Sequence, residues 1–274
     1  MTDKILHIIQ TGMGGERQQQ NHIKEILDTR YRNITVSFRK TDQRGIISLN
    51  FPVFLDEEFI FTSGIFQLLK LSKNSDIIIY HNLFNYSSLI SYILLRLFNR
   101  NTCSIVVFHN NIEGPGSKLR KVYYKTRKTS IINFASLLSD KLVFLTDAQN
   151  KGYKKLCFFS RIFDDRSIVI NNSVDEKCIS KDRMKNLRTI KVLFVGRLSY
   201  FKGFQDLITL IELFNNNPLI EFGIVGNGSL AKNISNYNNV KYFGNVDHDI
   251  IYDIYDNYNI LILPSYTEVF PLVI

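Results

Sequence analysis

The chain of 274 residues is 45% hydrophobic and 13% aromatic, a composition that can bury a core and excludes an intrinsically disordered protein. Its net charge of +9 lies entirely in residues 1–175, which hold 24 Lys and Arg against 15 Asp and Glu, whereas residues 176–274 hold 10 of each. This uneven charge, together with the lack of a nucleic-acid-binding motif, argues against a nucleic-acid binder.

Strands and helices are predicted to alternate along the chain. Short β-branched or aromatic segments predict strands at residues 4–10, 34–39, 76–80, 104–108, 141–145, 167–171, 191–195, 220–225, 240–243 and 259–263. Segments of helical length predict helices at residues 17–28, 87–98, 118–138, 148–159, 204–214 and 250–256, while residues 41–60 fit no element. Several strands are apolar throughout, as is typical of parallel strands covered on both faces. The pattern predicts an α/β fold of doubly wound parallel sheets.

A charged, weakly periodic segment predicts the domain boundary. Residues 176–188 lie between two strand patterns and are interpreted as an interdomain linker. A first Rossmann-like domain is then expected at residues 1–175 and a second at residues 189–274.

Cysteine usage and the apolar segments predict the cellular location. Cys103, Cys157 and Cys178 are scattered and form no metal-binding spacing, which favours a reducing, cytoplasmic compartment. The first residues lack the apolar region of a signal peptide. The best candidate for a membrane span, residues 83–98, is short and contains Asn85 and Arg96, so no span is predicted.

Glycines follow several predicted strands. Ligands of doubly wound sheets bind beyond the carboxyl ends of the strands, so these positions belong to the candidate site. They are Gly14 and Gly15 after the first strand, Gly226 and Gly228 around Asn227, and Gly244. Glycine there lets backbone N–H groups approach an anion, but it also forms a tight turn without a ligand, and both interpretations stay open.

Charged and imidazole side chains also follow strands. Arg197 and Lys202 precede a helix and predict a diphosphate clamp, with an exposed pair of loop cations as the alternative. Glu268 offers a carboxylate to sugar hydroxyls, or is an acid favoured by a helix dipole. His109 and His81 each end a strand, where imidazole can bind a hydroxyl or phosphate, whereas His7 is expected to be a hydrogen-bonded core residue.

One acidic triplet formally matches a metal-binding pair. Asp247 and Asp249 flank His248, but Asp is common at helix starts, so helix capping is the favoured interpretation. The remaining carboxylate and His spacings predict no metal site.

A basic segment predicts a surface that binds anionic lipid, or else a solvated helix face. It holds six cations and no anion, together with two tyrosines. The cations are Lys118, Arg120, Lys121, Lys125, Arg127 and Lys128.

Six short segments, in this order, resemble glycosyltransferase family 4, the group 1 type with the GT-B fold. The segments that carry the resemblance are residues 14–17, 107–110, 169–175, 195–198 with 202–203, 225–228 and 263–271. The resemblance implies two Rossmann-like domains, a UDP- or GDP-linked sugar as donor substrate, and no required cofactor or metal.

The resemblance also implies roles for individual residues. Arg197 and Lys202 would hold the donor diphosphate, Glu268 would bind donor sugar hydroxyls, and His109 would approach that sugar from the first domain. The further donor-binding positions are Gly14, Gly15, Gly226, Asn227, Gly228, Gly244 and Phe270. The implied reaction is retaining transfer to a saccharide acceptor, expected to be lipid-linked, in bacterial surface polysaccharide synthesis at the inner face of the cell membrane.

Two departures from the family pattern affect the expected activity. Val269 stands where the family has Gly, and a second Glu of the pattern would fall two residues past Ile274. A truncated second domain is therefore predicted, with apolar strand surface exposed around residues 260–263 and weak or absent transfer activity. The alternatives are a non-catalytic nucleotide-sugar-binding fragment and a GT-B nucleotide-sugar epimerase.

Overall fold

The computed structural model describes residues 3–10, 20, 23–24, 26–41, 44–54, 57–58, 62–83, 85–109, 118–172, 188–234 and 237–271. The chain divides into two compact units, an N-terminal unit of residues 1–172 and a C-terminal unit of residues 173–274. Each unit is built on a parallel sheet with helices between the strands, which confirms the predicted fold class. Nearly all of the predicted linker, residues 176–187, lies outside the described residues.

A seven-stranded parallel sheet forms the N-terminal unit. Its seven strands are β1 (Lys4–Ile9), β2 (Arg32–Ser37), β3 (Ile46–Ser48), β6 (Ile77–His81), β7 (Cys103–Phe108), β8 (Lys141–Phe144) and β9 (Ser167–Val169). Two short strands, β4 (Val53–Phe54) and β5 (Glu57–Glu58), form a separate antiparallel pair. Its helices are α1 (Ser63–Lys73), α2 (Tyr86–Phe98), α3 (Lys118–Leu138), α4 (Asp147–Lys154) and α5 (Ser160–Arg166). The sheet order is β3-β2-β1-β6-β7-β8-β9, so the winding direction reverses between β1 and β6. Ligands of such sheets bind at this switch point.

Both faces of this sheet are buried. In β1, Leu6 and Ile8 pack in the larger hydrophobic cluster, while Ile5 packs in a second cluster on the opposite face. Alternate residues of a strand share a face, so His7 lies on the face of Ile5. Burial on both faces explains the continuously apolar strands of the sequence.

Three helices of the N-terminal unit differ from the predictions, among them α5, which was not predicted. Helix α1 was not predicted; Thr62 caps it, and Gly64 lets it approach the loop after β3, where a Cβ would lie 2.7 Å from the ring of Phe51. The helix predicted at residues 148–159 ends at Lys154. The chain turns there because Asn133 of α3 accepts a hydrogen bond from the Phe158 N–H and donates one to the Leu156 carbonyl, at 2.7 Å and 3.0 Å.

Helix α3 corrects part of the predicted lipid-binding surface. Arg127 and Lys128 are only 6% and 7% exposed, so they do not belong to a solvent-facing basic patch. The Arg127 guanidinium lies 4.9 Å from the Tyr124 ring centre, and the Lys128 ammonium lies 4.6 Å from that of Tyr153, so cation–π contacts offset their burial. Lys118, Lys121 and Lys125 are exposed, as are Leu119 and Val122, whereas the Arg120 side chain lies outside the described residues.

None of the described helices is long and apolar enough to cross a membrane.

A four-stranded parallel sheet forms the C-terminal unit. Its elements are β10 (Ile190–Val195), a 3-10 turn (Tyr200–Lys202), α6 (Phe204–Phe214), β11 (Ile220–Val225), a 3-10 turn (Ala231–Ile234), β12 (Val240–Gly244), α7 (His248–Tyr255) and β13 (Ile260–Leu261). The sheet order is β12-β11-β10-β13, so the switch point lies between β10 and β13. In the edge strand β13, Ile260 is 49% exposed, and residues 261–263 are partly buried.

Candidate active site

The two loops that flank the switch point of the C-terminal unit are bonded together. In these loops, which follow β10 and β13, the Lys202 ammonium donates a hydrogen bond to the Glu268 carboxylate as an ion pair. The Tyr266 N–H donates to the Phe201 carbonyl at 3.0 Å, and the Tyr266 hydroxyl donates to Asp206 at 2.6 Å. This last bond raises the pKa of Tyr266 to about 12, so its hydroxyl stays protonated. The structure thus joins two predicted site residues that are 66 positions apart.

Gly203 makes the close approach of these loops possible. Its φ of +64° is in the left-handed region, and a Cβ at this position would lie 1.8 Å from the Pro264 carbonyl oxygen. Only glycine avoids both problems. Gly203 also precedes α6, so the N-terminus of an eleven-residue helix, which favours anions, begins beside Lys202.

Arg197 follows β10, so it lies at the same carboxyl edge of the sheet as the Lys202–Glu268 pair. Its side chain is exposed, and within the described residues it has no ion-pair or hydrogen-bond partner. Its neighbour Leu198 is fully buried and donates its N–H to the Asn227 carbonyl at 3.0 Å, which anchors the loop. An anchored backbone with an exposed guanidinium suits the binding of a diphosphate.

The loops after β11 and β12 are packed by glycine. A Cβ on Gly226 would lie 2.0 Å from the Gly196 carbonyl oxygen, so only glycine lets the loop after β11 touch the loop after β10. The Gly226 N–H donates to the Gly244 carbonyl at 2.7 Å, and the Gly228 N–H donates to the Asn227 side chain at 2.7 Å. These two N–H groups are engaged within the protein, which leaves close backbone approach as the contribution of the glycines.

Phe270, Gly14 and Gly15 complete the predicted donor-binding residues. Phe270 is partly buried in the segment after Glu268. Gly14 and Gly15 lie outside the described residues.

Three histidines form a hydrogen-bonded row in the N-terminal unit. His7 Nδ1 lies 3.1 Å from His81 Nε2, and His81 Nδ1 lies 3.0 Å from His109 Nε2. His7 Nε2 also lies 2.8 Å from the Asn33 side-chain oxygen. His7 and His81 are fully buried and His109 is 7% exposed, which confirms the prediction of a hydrogen-bonded core position for His7. Of the three, His109 lies at the carboxyl edge of the sheet.

The buried His109 predicts a pH-dependent stability. Burial lowers the pKa of His109 from 6.5 to about 4, whereas the unfolded chain keeps the ordinary value. Only the unfolded state takes up this proton between the two values, so stability is full above pH 6.5 and falls as the pH falls toward 4. The expected loss is roughly 3 kcal/mol at pH 4. Urea unfolding of wild type and His109→Gln at several pH values measures it; an unchanged pH slope in the variant would contradict this prediction.

The acidic triplet begins a helix, as predicted. Asp247 occupies the N-cap position of α7, although its side chain makes no capping hydrogen bond. Within the part of the chain that the structure describes, no group of three or more His, Cys, Asp or Glu is arranged to hold a metal ion.

A cavity of about 460 Å³ lies away from these residues, near the amino ends of β10 and β11. Its walls include Glu221, Asn239 and Tyr258, and none of the predicted site residues lines it. The candidate site therefore rests on the loops at the carboxyl ends of the strands.

Part of the chain matches a known family in sequence. Residues 175–274 match the model of the family described as "Glycosyl transferases group 1". The segment therefore resembles the group 1 glycosyl transferases. The match includes Arg197, Lys202 and Glu268, and it confirms the predicted resemblance and the predicted enzyme class. Comparison with curated proteins finds no match.

Solved structures confirm the predicted GT-B fold of the chain. Anabaena Alr3699/HepE in complex with UDP-glucose is similar with a TM-score of 0.72 at 16% identity, over 97% of this chain and 75% of that chain. The lipopolysaccharide outer core galactosyltransferase WaaB in its apo form has a TM-score of 0.61 at 16% identity, over 98% and 76% of the two chains. The pneumococcal O-GlcNAc transferase GtfA in complex with UDP and GlcNAc has a TM-score of 0.68 at 11% identity, over 99% and 81%. At these identities the likeness shows the fold alone.

The connections among the histidines escaped the sequence analysis. His7, His81 and His109 were each noted at or in a strand, but their pairing depends on strand order and register. The sequence did show each histidine in or at the end of an apolar strand. That signal brings the three side chains together only when β1, β6 and β7 are known to be neighbours.

Proposed function

We propose that this glycosyltransferase moves a sugar from a nucleotide-diphosphate donor to a saccharide acceptor, with retention of the anomeric configuration. The observation that carries the proposal is the Lys202–Glu268 ion pair at the switch point of the segment that matches the family. A carboxylate and a cation held together offer acceptors for sugar hydroxyls and a positive charge for the departing diphosphate. UDP-glucose and UDP are the ligands named for two of the similar structures, which supports a UDP-linked donor.

Each of these residues contacts a different part of the donor. The Arg197 guanidinium grips the diphosphate with its planar donors, and Lys202 adds a compact charge beside the N-terminus of α6. Glu268 accepts hydrogen bonds from the sugar hydroxyls. As the bond to the sugar breaks, negative charge develops on the diphosphate, and the two cations stabilise it.

A transfer assay tests this proposal directly. The chain is incubated with UDP- and GDP-linked sugars and a panel of saccharide acceptors, and the anomeric configuration of any product is read by NMR. An α-linked donor that yields an α-linked product supports retention. A β-linked product would overturn the retaining mechanism, and conversion of the donor sugar without an acceptor would favour the epimerase alternative.

The acceptor is proposed to be a lipid-linked saccharide of surface polysaccharide synthesis, met at an anionic membrane surface. The support is the exposed start of α3, where Lys118, Lys121 and Lys125 alternate with the exposed Leu119 and Val122. A basic surface with apolar side chains binds anionic headgroups and the acyl boundary together. The name of WaaB, an outer core galactosyltransferase of lipopolysaccharide, agrees with this class of acceptor.

Charge reversal at the start of α3 is expected to weaken vesicle binding strongly. Each Lys near an anionic surface contributes about 1 kcal/mol, so replacing Lys118, Lys121 and Lys125 together by Glu should weaken binding about a hundredfold or more. Co-sedimentation with phosphatidylglycerol–phosphatidylcholine vesicles measures the loss.

The matched control changes three exposed lysines elsewhere. Replacing Lys70, Lys73 and Lys232 by Glu alters the net charge equally and should reduce vesicle binding far less. Equal losses in the two variants would show that net charge alone drives the association.

A further inference from the structure

The cavity of about 460 Å³ near the amino ends of β10 and β11 has the size of a small-ligand pocket. It opens on the face of the sheet that α7 covers, where Leu193 and Val225 pack with Ile254 of this helix. Lys191 and Glu221 share that face, because alternate residues of a strand point to the same side. The faces of parallel sheets are normally apolar and covered, so these charges mark a part of the face that the helix leaves open.

Tyr258 forms one wall of the cavity, and Gly223 gives it room. A Cβ on Gly223 would lie 2.3 Å from the Tyr258 ring, so the ring lies directly against strand β11. A glycine inside a strand weakens the strand and often marks a close approach of this kind. The ring of Phe243, which also lines the cavity, stands edge-on to that of Tyr258, with 6.3 Å between the ring centres. The cavity therefore has an aromatic wall that is held in place.

Polar groups in the walls have hydrogen-bonding capacity to spare. Within the described part of the chain, neither the Tyr258 hydroxyl nor the Asn238 side chain has a hydrogen-bond partner. The Asn257 amide nitrogen donates to the Asp253 carbonyl at 2.7 Å, and its side-chain oxygen remains an acceptor. Burial and the nearby Glu221 carboxylate raise the pKa of Tyr258, so its hydroxyl stays protonated and can donate. The walls thus offer both donors and acceptors to a ligand.

The charges in the cavity compensate each other. The Lys191 ammonium lies 3.4 Å from the Glu221 carboxylate, and the Lys241 ammonium lies 4.9 Å from the Phe243 ring centre in a cation–π contact. Both cations are engaged, which argues against a phosphate as the ligand. A carboxylate has about four lone-pair sites, so Glu221 can accept from a ligand hydroxyl as well as from Lys191.

We propose that this cavity is a saccharide-binding site, in which the Tyr258 ring covers the C–H face of a sugar while Glu221 and Asn257 bond its hydroxyls. A sugar combines an apolar face with hydroxyls that donate and accept, which matches an aromatic wall beside amides and a carboxylate. The cavity lies at the opposite end of the strands from the candidate active site, so it is a separate site. A saccharide held there stays near the enzyme at a raised local concentration, and only this consequence rests on the proposed function.

NMR titration of the ¹⁵N-labelled full chain tests the site without any transfer assay. Maltotriose, galactotriose, triacetylchitotriose and inorganic phosphate are added separately. At least one of the oligosaccharides should shift the backbone signals of Gly223, Lys241 and Tyr258 to saturation, while those of Gly203 and Gly226 at the candidate active site stay unchanged. Unshifted cavity signals with all three oligosaccharides, or equal shifts with phosphate, would overturn the proposal.

Tyr258→Leu tests the aromatic wall. The variant keeps an apolar side chain but loses the ring and the hydroxyl, so saccharide affinity should fall about tenfold or more. Tyr237→Leu is the matched control, because Tyr237 packs in the hydrophobic cluster on the opposite face of the sheet and bonds Glu212 at 2.8 Å. It should leave saccharide affinity unchanged. Equal losses in the two variants would reject a specific wall.

Glu221→Ala tests the polar side of the cavity independently of the aromatic wall. The Glu221 side chain is half exposed, so its removal should leave the fold intact while lowering saccharide affinity about tenfold. An unchanged affinity would contradict the assigned role of the carboxylate. Saccharide binding as predicted without sugar transfer would reject the proposed function alone, whereas transfer without binding at the cavity would reject this site alone.

Discussion

Arg197→Ala is expected to weaken UDP binding by roughly tenfold to a hundredfold. A hydrogen bond from the guanidinium to the charged diphosphate contributes about 1.5–3 kcal/mol, which corresponds to this range. Because Arg197 is exposed and has no ion-pair partner within the described residues, its removal should leave the fold unchanged. Isothermal titration of UDP into both proteins measures the difference.

Lys191→Ala is the matched control for Arg197→Ala. Lys191 pairs with Glu221 at 3.4 Å near the amino ends of β10 and β11, at the opposite end of the strands from the candidate site. Its removal changes the net charge equally and should alter UDP affinity less than twofold, because exposed ion pairs contribute about 0–1 kcal/mol and this one lies away from the ligand. Equal losses in the two variants would show a general effect of charge and not a diphosphate clamp.

Gly203→Ala is expected to destabilise the C-terminal unit by roughly 3–5 kcal/mol. The substitution combines a left-handed φ of +64° with a Cβ 1.8 Å from the backbone oxygen of Pro264, and a backbone atom cannot move aside as a flexible side chain can. The loop after β13 would be displaced from the start of α6, which separates Glu268 from Lys202. Hydrogen–deuterium exchange, read separately in the two units, measures the loss of protection.

Gly244→Ala separates the cost of the left-handed conformation at Gly203 from the cost of its close contact with Pro264. Gly244 has a φ of +67°, almost the same conformation, but its Cβ would meet no atom within 4 Å. The loss should be only about 1 kcal/mol, the cost of a left-handed alanine. If both alanine variants lose the same protection, the contact between Gly203 and Pro264 does not matter for stability.

Local patterns predicted much of the fold. Helix α3 begins and ends at the predicted residues, and the predicted strands of both sheets are present, because apolar periodicity and β-branched composition are local properties. Helix α1 was missed because Gly64, a poor helix former, is there for close packing against Phe51. The basic surface predicted on α3 wrongly included Arg127 and Lys128. Their burial depends on aromatic rings, one of them in α4, which the local sequence does not reveal.

The candidate site was predicted as single residues but not as an arrangement. The glycines and cations at strand ends could be found because doubly wound sheets place ligands there. The Lys202–Glu268 pair depends on β13 lying beside β10, and the histidine row depends on β6 lying between β1 and β7. Strand order and register are properties of the whole sheet, so no local pattern contains them.

The most direct test of donor binding is a thermal-shift comparison of UDP with uridine on the full chain. The diphosphate is the part of the donor that Arg197 and Lys202 are proposed to hold, so UDP or GDP should raise the melting temperature while the matching nucleoside should not. A ligand present at about 100 times its Kd stabilises the folded state by about 2.7 kcal/mol, which is a readily measured shift. A melting temperature unchanged by either nucleoside diphosphate, or raised equally by the nucleoside alone, would contradict the proposed site.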